Sequence, residues 1–483
     1  MHPIDPDRHS RRAFLQRTGQ LALAGAATPW ALNLAAMGDA AAFSGGDYKA
    51  LVCVFLYGGN DYANTVVTYD TASHQRYASI RAAGAGTAAG SIVLERSTLS
   101  NTVLQPATPL PEGRQYALHP SLPNLAKLFN NGQAAVQLNV GPLVVPLTRR
   151  QFETRAYPLP PKLFSHNDQQ SVWQSSSPEG STIGWGGRMG DLALSSNKQS
   201  LFTCISVTGN SVFLSGQQAL QYQCSTSGAI KVRALQQGDW MFGPNEGMRQ
   251  TLLDLVQQSR SHVLQNEYNA VMRRALSSEG AVSNALAGVN VQTAFANNNL
   301  SRQMRMVARL IGARQALGVN RQVFMVSMGG FDLHDNLVAR QPGLLLELDQ
   351  ALSAFYQATV ELGVADKVTT FTASDFGRTL TSNGDGSDHG WGSHHFVLGG
   401  AVKGRRFYGE APPVSASDTD SPLDQWHVGQ GRLLPRTSTD QFAATLAQWF
   451  GVQETELSQI LPNLRHFGNA GGRLDYPIDI GFL

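Results

Sequence analysis

Two patterns of apolar residues alternate along the chain. Runs of apolar and β-branched residues occupy positions 50–57, 322–328 and 367–373, and each run ends in glycine or polar residues. Such runs are typical of strands that are buried on both faces of a parallel sheet. Apolar residues spaced three and four positions apart predict helices at 342–362, at 441–450 and within about 244–318.

The alternation of strands and helices predicts an α/β fold with a mostly parallel sheet. The helical stretch from about 244 to 318 interrupts this alternation and is interpreted as an insertion between strands. Residues 198–215 predict a pair of strands joined by a Thr-Gly-Asn turn at 208–210. Because ligands bind beyond the carboxyl ends of strands in open α/β sheets, polar motifs that follow the strands are expected to meet at one site.

The first 42 residues have the layout of an export signal. Residues 10–15 read Ser-Arg-Arg-Ala-Phe-Leu, an Ala/Gly-rich apolar run extends to about residue 36, and small residues stand at 40–42. This order predicts a twin-arginine signal peptide over 1–42, recognised by the twin-arginine export machinery, and a single mature domain over 43–483 that is periplasmic or secreted. The apolar run is shorter than the roughly 20 residues of a stable bilayer span, so no membrane-spanning segment is expected.

Composition narrows the classes of function. The chain is 42% hydrophobic and 15% charged with a net charge of +2, which favours neither nucleic acid nor an anionic membrane as a partner. Three cysteines cannot form a complete set of disulfides. Cys53 lies in an apolar run and is expected to be a buried thiol, whereas pairing of Cys204 with Cys224 stays open.

The same Gly-Gly-x-Asp pattern follows two of the predicted strands, at residues 58–61 and 329–332. The glycines permit sharp turns, and the carboxylates of Asp61 and Asp332 are candidate oxygen ligands for a metal. His334 stands two positions after Asp332, so in extended backbone both side chains face one side and offer an oxygen and a nitrogen ligand. The alternatives are a helix-capping role for Asp61 and an ordinary polar loop at 332–334.

A third strand end carries Asp375 and Arg378. Asp375 is a further candidate metal ligand. Arg378 is a candidate for binding an anionic substrate group through its planar guanidinium, and a structural ion pair with an aspartate is the equal alternative. Arg188, at the end of the glycine-rich segment 184–188, is a second candidate anion-binding residue, although that segment also fits a packing turn.

Residues 388–395 contain three histidines, His389, His394 and His395, set among glycines. Imidazole is the commonest metal-binding side chain, so this cluster is the strongest local indication of a metal site. His394 and His395 point in opposite directions if the backbone is extended, and one of the two is therefore expected to be structural. The alternative is a surface loop with Trp391 packed inward.

Residues 165–168 read Ser-His-Asn-Asp. Ser165 is a candidate nucleophile, because a hydroxyl beside a metal or a histidine can form a covalent intermediate. His166 and Asp168 are candidates for the wall of the site. No Gly-x-Ser-x-Gly elbow supports a serine hydrolase of that type.

Taken in order along nearly the whole chain, these motifs resemble a bacterial family of twin-arginine-exported proteins, domain of unknown function 1501, which is related to sulfatases and alkaline phosphatases. The resemblance is carried by residues 11–12, 51–61, 165–166, 184–188, 329–334, 374–378 and 388–390. It implies an alkaline-phosphatase-like α/β/α sandwich in which aspartates and histidines at strand ends bind one or two divalent metals. Carried over by position, it implies Ser165 as the nucleophile and a metal set of Asp61, Asp332, His334, Asp375, His389 and His394, with His395 as a further candidate.

Two departures from the superfamily bear on this hypothesis. Asp375 is followed by Phe376 where the superfamily often has histidine, and the Asp332-x-His334 spacing is narrower than usual. No Cys-x-Pro-x-Arg sequence is present for formylglycine formation, which disfavours ordinary sulfatase chemistry. The sequence favours an exported hydrolase of small anionic phosphate or sulfate esters that uses a divalent metal, namely zinc, manganese, calcium or magnesium. The alternative is a non-catalytic exported protein with a degenerate or structural metal site, acting as a binding or surface component.

Overall fold

The computed structural model describes residues 47–82, 91–232, 246–468 and 475–483 of the chain. The twin-arginine motif and the predicted cleavage region lie outside the described residues. In the described part, no helix combines the length and the apolar composition that crossing a bilayer demands.

A large, mainly parallel sheet forms the centre of the fold. Its strands and those of a small second ribbon are β1 (Lys49–Leu56), β2 (Val66–Thr68), β3 (Tyr116–Leu118), β4 (Ala134–Gly141), β5 (Cys204–Ser206), β6 (Gln221–Ser225), β7 (Gly228–Ala229), β8 (Arg321–Met328), β9 (Val368–Ser374), β10 (Ser393–Leu398), β11 (Phe407–Tyr408) and β12 (Thr437–Ser438). The strand order is β11-β4-β10-β9-β1-β8-β5-β6-β7, and β12 also pairs with β4. β1 lies parallel to both β8 and β9, whereas β10 is antiparallel to β4 and β9. β2 and β3 pair with each other as an antiparallel ribbon.

Helices cover both faces of this sheet. They are α1 (Tyr62–Thr65), α2 (Thr71–Ala82), α3 (Pro123–Asn130), α4 (Arg149–Thr154), α5 (His166–Ser175), α6 (Trp185–Ala193), α7 (Glu246–Gln257), α8 (Val263–Ala287), α9 (Asn299–Gly312), α10 (Leu337–Glu361), α11 (Thr439–Phe450) and α12 (Glu454–Ile460). One core joins α3, α9 and α10 to the sheet, and the opposite core joins α6, α11 and α12 to it. The predicted α/β/α sandwich with a mostly parallel sheet is confirmed.

The buried strand β1 shows why the sheet needs both layers. Its residues alternate between the two cores, with Val52 and Val54 packed on the α9 and α10 side and Cys53 and Phe55 packed on the α6 and α11 side. Because successive side chains of a strand point to opposite faces, a run that is apolar at every position requires cover on both faces. All three cysteines of the chain are buried free thiols, and Cys204 and Cys224 are not joined.

The predicted strands that lead into the candidate motifs are confirmed within one residue as β1, β8 and β9. Helices α7, α8 and α9 occupy most of the stretch from 246 to 312, with non-helical connections at 258–262 and 288–298. The strand pair predicted for residues 198–215 is wrong. Only β5 forms there, and it pairs with β6 and β8 instead of with a neighbour across the turn. Residues 212–214 instead form a 3-10 turn in which Phe213 is buried against Trp185 of α6, so tertiary packing overrides the local strand pattern.

The three central parallel strands end at the same level. Leu56 of β1 lies opposite Met328 of β8 on one side and Ser374 of β9 on the other. The segments that follow these residues therefore leave the sheet side by side, at the edge where α/β proteins bind ligands.

Candidate metal centre

Close backbone approach at Gly58 and Gly59 brings the three strand ends together. Both glycines have positive φ, at +116° and +79°. A Cβ at Gly58 would overlap the backbone nitrogen of Asp332, and a Cβ at Gly59 would overlap the ring of Phe376. The Phe331 amide also donates to the Tyr57 carbonyl at 3.2 Å. The first Gly-Gly pair therefore makes room for the other two strand ends.

The Asp332 carboxylate stands at the centre of a group of three imidazoles. Its Oδ1 lies 3.1 Å from Nε2 of His334 and 3.2 Å from Nε2 of His389. Its Oδ2 lies 3.4 Å from Nε2 of His166. His166, Asp332 and His389 each present a ligand atom, and these atoms lie within 4.8 Å of one another, a spacing that a single ion can span.

Each of the three imidazoles has its other nitrogen tied to an oxygen acceptor. Nδ1 of His166 lies 2.6 Å from Oδ2 of Asp375, Nδ1 of His334 lies 3.1 Å from Oδ1 of Asp388, and Nδ1 of His389 lies 2.7 Å from the carbonyl oxygen of Phe164. Carbonyl and ionised carboxylate oxygens only accept, so each Nδ1 carries the hydrogen. In the neutral rings, all three Nε2 lone pairs then point toward Asp332, which is the orientation that metal-binding histidines adopt.

A short contact between two of these rings distinguishes the cluster from an ordinary polar loop. Nε2 of His334 lies 2.9 Å from Nε2 of His389. Since both rings already donate from Nδ1, neither neutral ring has a hydrogen to place between these atoms. Two lone pairs at this distance repel, and a cation shared by both nitrogens, either a metal ion or a proton, removes the repulsion.

Neighbouring groups and burial shift the pKa values of the cluster residues in different directions. The hydrogen bond to Asp375 is the main cause that raises the pKa of His166, against the opposing effect of burial. Burial lowers the pKa of His389, which the hydrogen bond to Phe164 offsets only in part. Burial alone would raise the pKa of Asp332, but the hydrogen bond and charge of Arg378 outweigh it and lower the pKa. Asp332 is thus an anion that attracts a cation at neutral pH.

Helix α5 positions His166 through a pair of contacts one helical turn apart. His166 is the first residue of α5, and Gln170 follows it at i+4. Nε2 of Gln170 donates to the same Asp375 oxygen, Oδ2, at 2.8 Å. The second oxygen of Asp375, Oδ1, is buried and has no hydrogen-bond partner among the described residues. Asp375 therefore holds the ring of His166 and still has one oxygen free for a donor or a cation.

Phe376 forms an apolar wall against two of the imidazoles. Its ring centroid lies 4.8 Å from that of His166 and 4.6 Å from that of His389. Phe376 thus packs against the cluster and restricts where the two rings can rotate.

Arg378 is fully buried and holds Asp332 from behind. Its guanidinium donates to Oδ1 of Asp332 at 2.7 Å, to the Gly58 carbonyl at 3.2 Å, and to the carbonyl and hydroxyl oxygens of Ser387. The backbone at residue 378 also pairs with that of His389. Of the two interpretations of Arg378 left open by the sequence, the structure shows the ion pair with an aspartate.

Asp61 lies in a separate set of contacts. Its Oδ1 accepts from the Asn64 amide at 2.9 Å, which caps α1, and its Oδ2 accepts from Arg81 at 2.6 Å and from Ser387 at 2.7 Å. The side chains of Asp61 and Arg81 are 2% and 0% exposed. Both carboxylate oxygens are occupied, which matches the capping alternative rather than a metal ligand.

The paired histidines at the end of the His-rich segment, His394 and His395, lie in strand β10, and their backbone is therefore extended. Nδ1 of His394 accepts from the Asn139 amide of β4 at 3.1 Å, and its ring packs 4.9 Å from that of Tyr62. His395 points the opposite way, toward Thr372 and Trp173. Burial lowers the pKa of both imidazoles to about 3, so both are neutral core side chains. The metal role expected for His394 is replaced by packing, because β4 pairs antiparallel with β10 and encloses it.

The remaining candidates are Ser165, which is adjacent in sequence to a residue of the cluster, and Arg188, which interacts with other parts of the fold. Ser165 directly precedes His166, and its hydroxyl donates to Oδ2 of the buried Asp168 at 2.8 Å. Arg188 of α6 donates to the Ile460 carbonyl at 2.8 Å and is half-buried near the charge of Asp440. Its contacts are with α11 and α12 rather than with the strand ends.

The family model described as "Protein of unknown function (DUF1501)" matches residues 48–461. The chain belongs to this family. The resemblance inferred from the motifs is thereby confirmed, and no curated protein matches this family member in sequence.

Solved structures that are similar to this member of the family include several hydrolases and a synthase. The PsFucS1 sulfatase from Pseudoalteromonas sp. shares 8% identity at a TM-score of 0.31, over 84% of this chain and 68% of that chain. The lipoteichoic acid synthase LtaP from Listeria monocytogenes shares 10% identity at a TM-score of 0.33, over 86% and 74% of the two chains. A variant of the alkaline phosphatase PafA shares 11% identity at a TM-score of 0.25, over 69% and 64%.

Proposed function

We propose that this protein is an exported, metal-dependent hydrolase of phosphate or sulfate esters, with a metal held by His166, Asp332, His334 and His389. The observation that carries the proposal is the contact between Nε2 of His334 and Nε2 of His389 at 2.9 Å, in rings whose Nδ1 hydrogens are already used. When bound, a divalent metal supplies polarisation of the ester oxygen and stabilisation of the developing negative charge.

The donor set favours zinc or a similar transition metal over calcium and magnesium. Three imidazole nitrogens and one carboxylate suit zinc, whereas calcium and magnesium prefer oxygen ligands. Asp375, Asp388 and the Phe164 carbonyl orient the rings, and Arg378 orients Asp332. These four supporting contacts fix the rotamers and tautomers of the ligands, which is the usual task of groups behind a metal site.

The open side of the cluster favours catalysis over a purely structural site. Asp332 is 42% exposed and His334 is 44% exposed, whereas His166 and His389 are 29% and 25% exposed. Structural metal sites are closed by protein ligands, and catalytic sites leave a position for substrate. The rival proposal is a non-catalytic exported protein with a degenerate or structural metal site that acts as a binding or surface component. It is favoured by Phe376 at the position where the superfamily often has histidine.

Ser165 remains the proposed nucleophile within this function. Its hydroxyl lies one residue before His166, and the hydrogen bond to Asp168 gives the oxygen a fixed direction and a nearby acceptor for its proton. Export by the twin-arginine route is likewise proposed, on the motif at residues 10–15, the apolar run to about residue 36 and the small residues at 40–42. Substitution of both arginines by lysine is expected to leave the precursor in the cytoplasmic fraction, as immunoblots of periplasmic and cytoplasmic fractions would show.

Elemental analysis and ester hydrolysis test the central proposal together. The purified mature chain should contain roughly one zinc or manganese ion and should hydrolyse an aryl phosphate or an aryl sulfate. His389→Ala should lose the metal and the activity, whereas His262→Ala, which alters an exposed histidine at the start of α8, should lose neither. Protein that is inert toward both esters would favour the rival, whether it binds a metal at a structural site or is metal-free because the site is degenerate.

A further inference from the structure

Arg432 is a half-buried arginine at the edge of the candidate metal centre. Its Nε donates to the backbone carbonyl of His389 at 2.8 Å, and its guanidinium carbon lies 5.3 Å from the ring centroid of Phe164. These contacts hold the guanidinium against the two residues that form the Phe164–His389 hydrogen bond. The sequence motifs did not single out Arg432, because it belongs to none of the strand ends.

Arg432 differs from Arg378 and Arg188, the other two candidate anion-binding arginines, in which guanidinium nitrogens already donate hydrogen bonds. The guanidinium of Arg378 donates hydrogen bonds to Asp332, Gly58 and Ser387. Nη1 of Arg188 donates to the carbonyl oxygen of Ile460. The contacts of Arg432 within the described residues are made by Nε and by the face of the guanidinium, so both Nη groups remain as donors. An arginine held at Nε and by stacking, with its Nη fork uncommitted, is pre-organised to bind an oxyanion.

We propose that Arg432 binds the tetrahedral oxyanion of the substrate, the phosphate or sulfate group of the ester, while that group contacts the metal. This inference rests on the proposed function, because the oxyanion is placed between Arg432 and the metal ligands. Attachment to the backbone of His389, itself a proposed ligand, keeps the guanidinium at a fixed position relative to the cluster.

The charges around Arg432 are consistent with this role. Burial lowers the pKa of Arg432, and the negative charge of Asp388 partly offsets this effect. Asp388 is itself bound to Nδ1 of His334 and to Asn383. Asp332, His334 and Asp388 are each about two-fifths exposed, so the cluster that Arg432 borders through His389 is open to solvent.

Binding of inorganic phosphate and of inorganic sulfate to the zinc-loaded mature chain tests the inference without requiring turnover. Titration calorimetry is carried out on the wild type, Arg432→Gln and Arg432→Lys, at a zinc concentration that elemental analysis shows to saturate each protein. Loss of a charge-assisted, two-pronged contact should weaken anion binding at least about tenfold in Arg432→Gln. Arg432→Lys keeps the charge without the fork and should fall between that variant and the wild type.

Arg436 provides a matched control four residues away. It is also half-buried, and its guanidinium stacks on an aromatic ring, that of Trp426 at 4.5 Å. Arg436→Gln should bind both anions as the wild type does. Stronger loss for phosphate than for sulfate would indicate phosphate esters as the substrate class, and the reverse would indicate sulfate esters.

The outcomes separate this inference from the proposed function. Wild-type protein that binds zinc but neither anion, or an Arg432→Gln variant that is zinc-saturated and binds both anions normally, overturns the role of Arg432. A zinc-loaded wild type that binds the anions through Arg432 but hydrolyses no ester refutes the hydrolase and leaves the anion site standing. If Arg432→Gln does not fold, as circular dichroism would reveal, Arg432→Lys carries the same comparison.

Discussion

Two strand ends with the same Gly-Gly-x-Asp sequence have opposite roles in this protein. Asp61 and Asp332 follow neighbouring parallel strands that end in register, and each accepts a hydrogen bond from a fully buried arginine, Arg81 and Arg378 respectively. Asp61 is 2% exposed and uses both oxygens within the core, whereas Asp332 is 42% exposed and faces three imidazoles. The motif places each aspartate at the end of its strand. The segments packed around the aspartate determine whether its carboxylate is buried in an ion pair or exposed to ligands.

The difference arises from what covers each strand end. Helices α1 and α2 and the Ser387 hydroxyl close over Asp61 and satisfy it. The segment after Asp332 stays open, and α5 and the 388–389 segment bring only nitrogen ligands to it. A buried and paired carboxylate stabilises the fold, while an exposed carboxylate with bare imidazole nitrogens beside it has the character of a binding site.

The largest effect on this comparison is expected from Asp61→Asn. The substitution keeps an acceptor for the Asn64 amide but leaves the fully buried Arg81 without its counter-charge. Loss of one partner of a buried ion pair should lower the free energy of unfolding by about 3–5 kcal/mol. Urea denaturation followed by tryptophan fluorescence measures this change. Asp335→Asn, in an ion pair that is more than half exposed on both sides, should change it by less than about 1 kcal/mol.

Asp332→Asn is expected to act on metal affinity instead. Loss of the only carboxylate among the proposed ligands should weaken zinc binding by more than about 100-fold, because even groups that merely orient ligands contribute 10- to 100-fold. Competition with a chromophoric chelator measures the affinity. The folded fraction of Asp61→Asn should bind zinc as the wild type does. Equal weakening in both variants would show that the two aspartates serve one site.

Acid pH should distinguish the buried His394 from the histidines of the cluster. Its folded-state pKa of about 3 lies below the unfolded value of about 6.5, so the unfolded state binds the proton first. Stability from this group is complete above pH 6.5 and is lost as the pH falls toward 3, by about 2 kcal/mol at pH 5. In His394→Asn, urea denaturation at pH 7 and pH 5 should show a correspondingly smaller loss of stability. An unchanged pH dependence would mean that His394 is accessible to protons in the folded state.

The smallest effect concerns the backbone that orients His389. Phe164 has a φ of +72°, a left-handed conformation that costs a residue with a Cβ about 1 kcal/mol relative to glycine. Both Phe164→Ala and Phe164→Gly remove the ring and keep the carbonyl that accepts from Nδ1 of His389. Phe164→Gly should therefore unfold at a higher urea concentration than Phe164→Ala. The opposite order would mean that the loop relaxes once the ring is gone.

The sequence alone predicts the sheet around the site well, for a local reason. β1, β8 and β9 are buried on both faces, so their apolar runs are visible without knowledge of their partners. Strand β10 is not predicted in this way, because it contains His394 and His395 and so has no continuous apolar run. The burial of these two histidines depends on β4 and on Trp173, which are distant in sequence.

The candidate site can be predicted only in part from the sequence, because the orientation of its residues depends on partners that are distant along the chain. The positions of Asp332, His334 and His389 relative to strand ends and glycines indicate that they come together. The orientation of His166 depends on Asp375, which is 209 positions away, and the burial of Asp61 depends on Arg81 from an otherwise unremarked helix. No spacing rule within one sequence reports such partners, although a Ser-His pair at a helix start is a weak signal for His166.

The carboxylates around the imidazole cluster have a consequence for the valence of any ion bound there. Asp332, Asp375 and Asp388 touch the rings, and within the described part of the chain the buried cation that forms an ion pair with one of them, Asp332, is Arg378. Among the groups in direct contact, three carboxylates against one guanidinium leave an excess of two negative charges when the rings are neutral and the more distant Arg432, left for the substrate, is not counted. A doubly charged ion brings this pocket to electroneutrality, whereas a singly charged ion leaves it anionic and a triply charged one overshoots. The charge balance would thus select the valence, and the nitrogen donors would select the element.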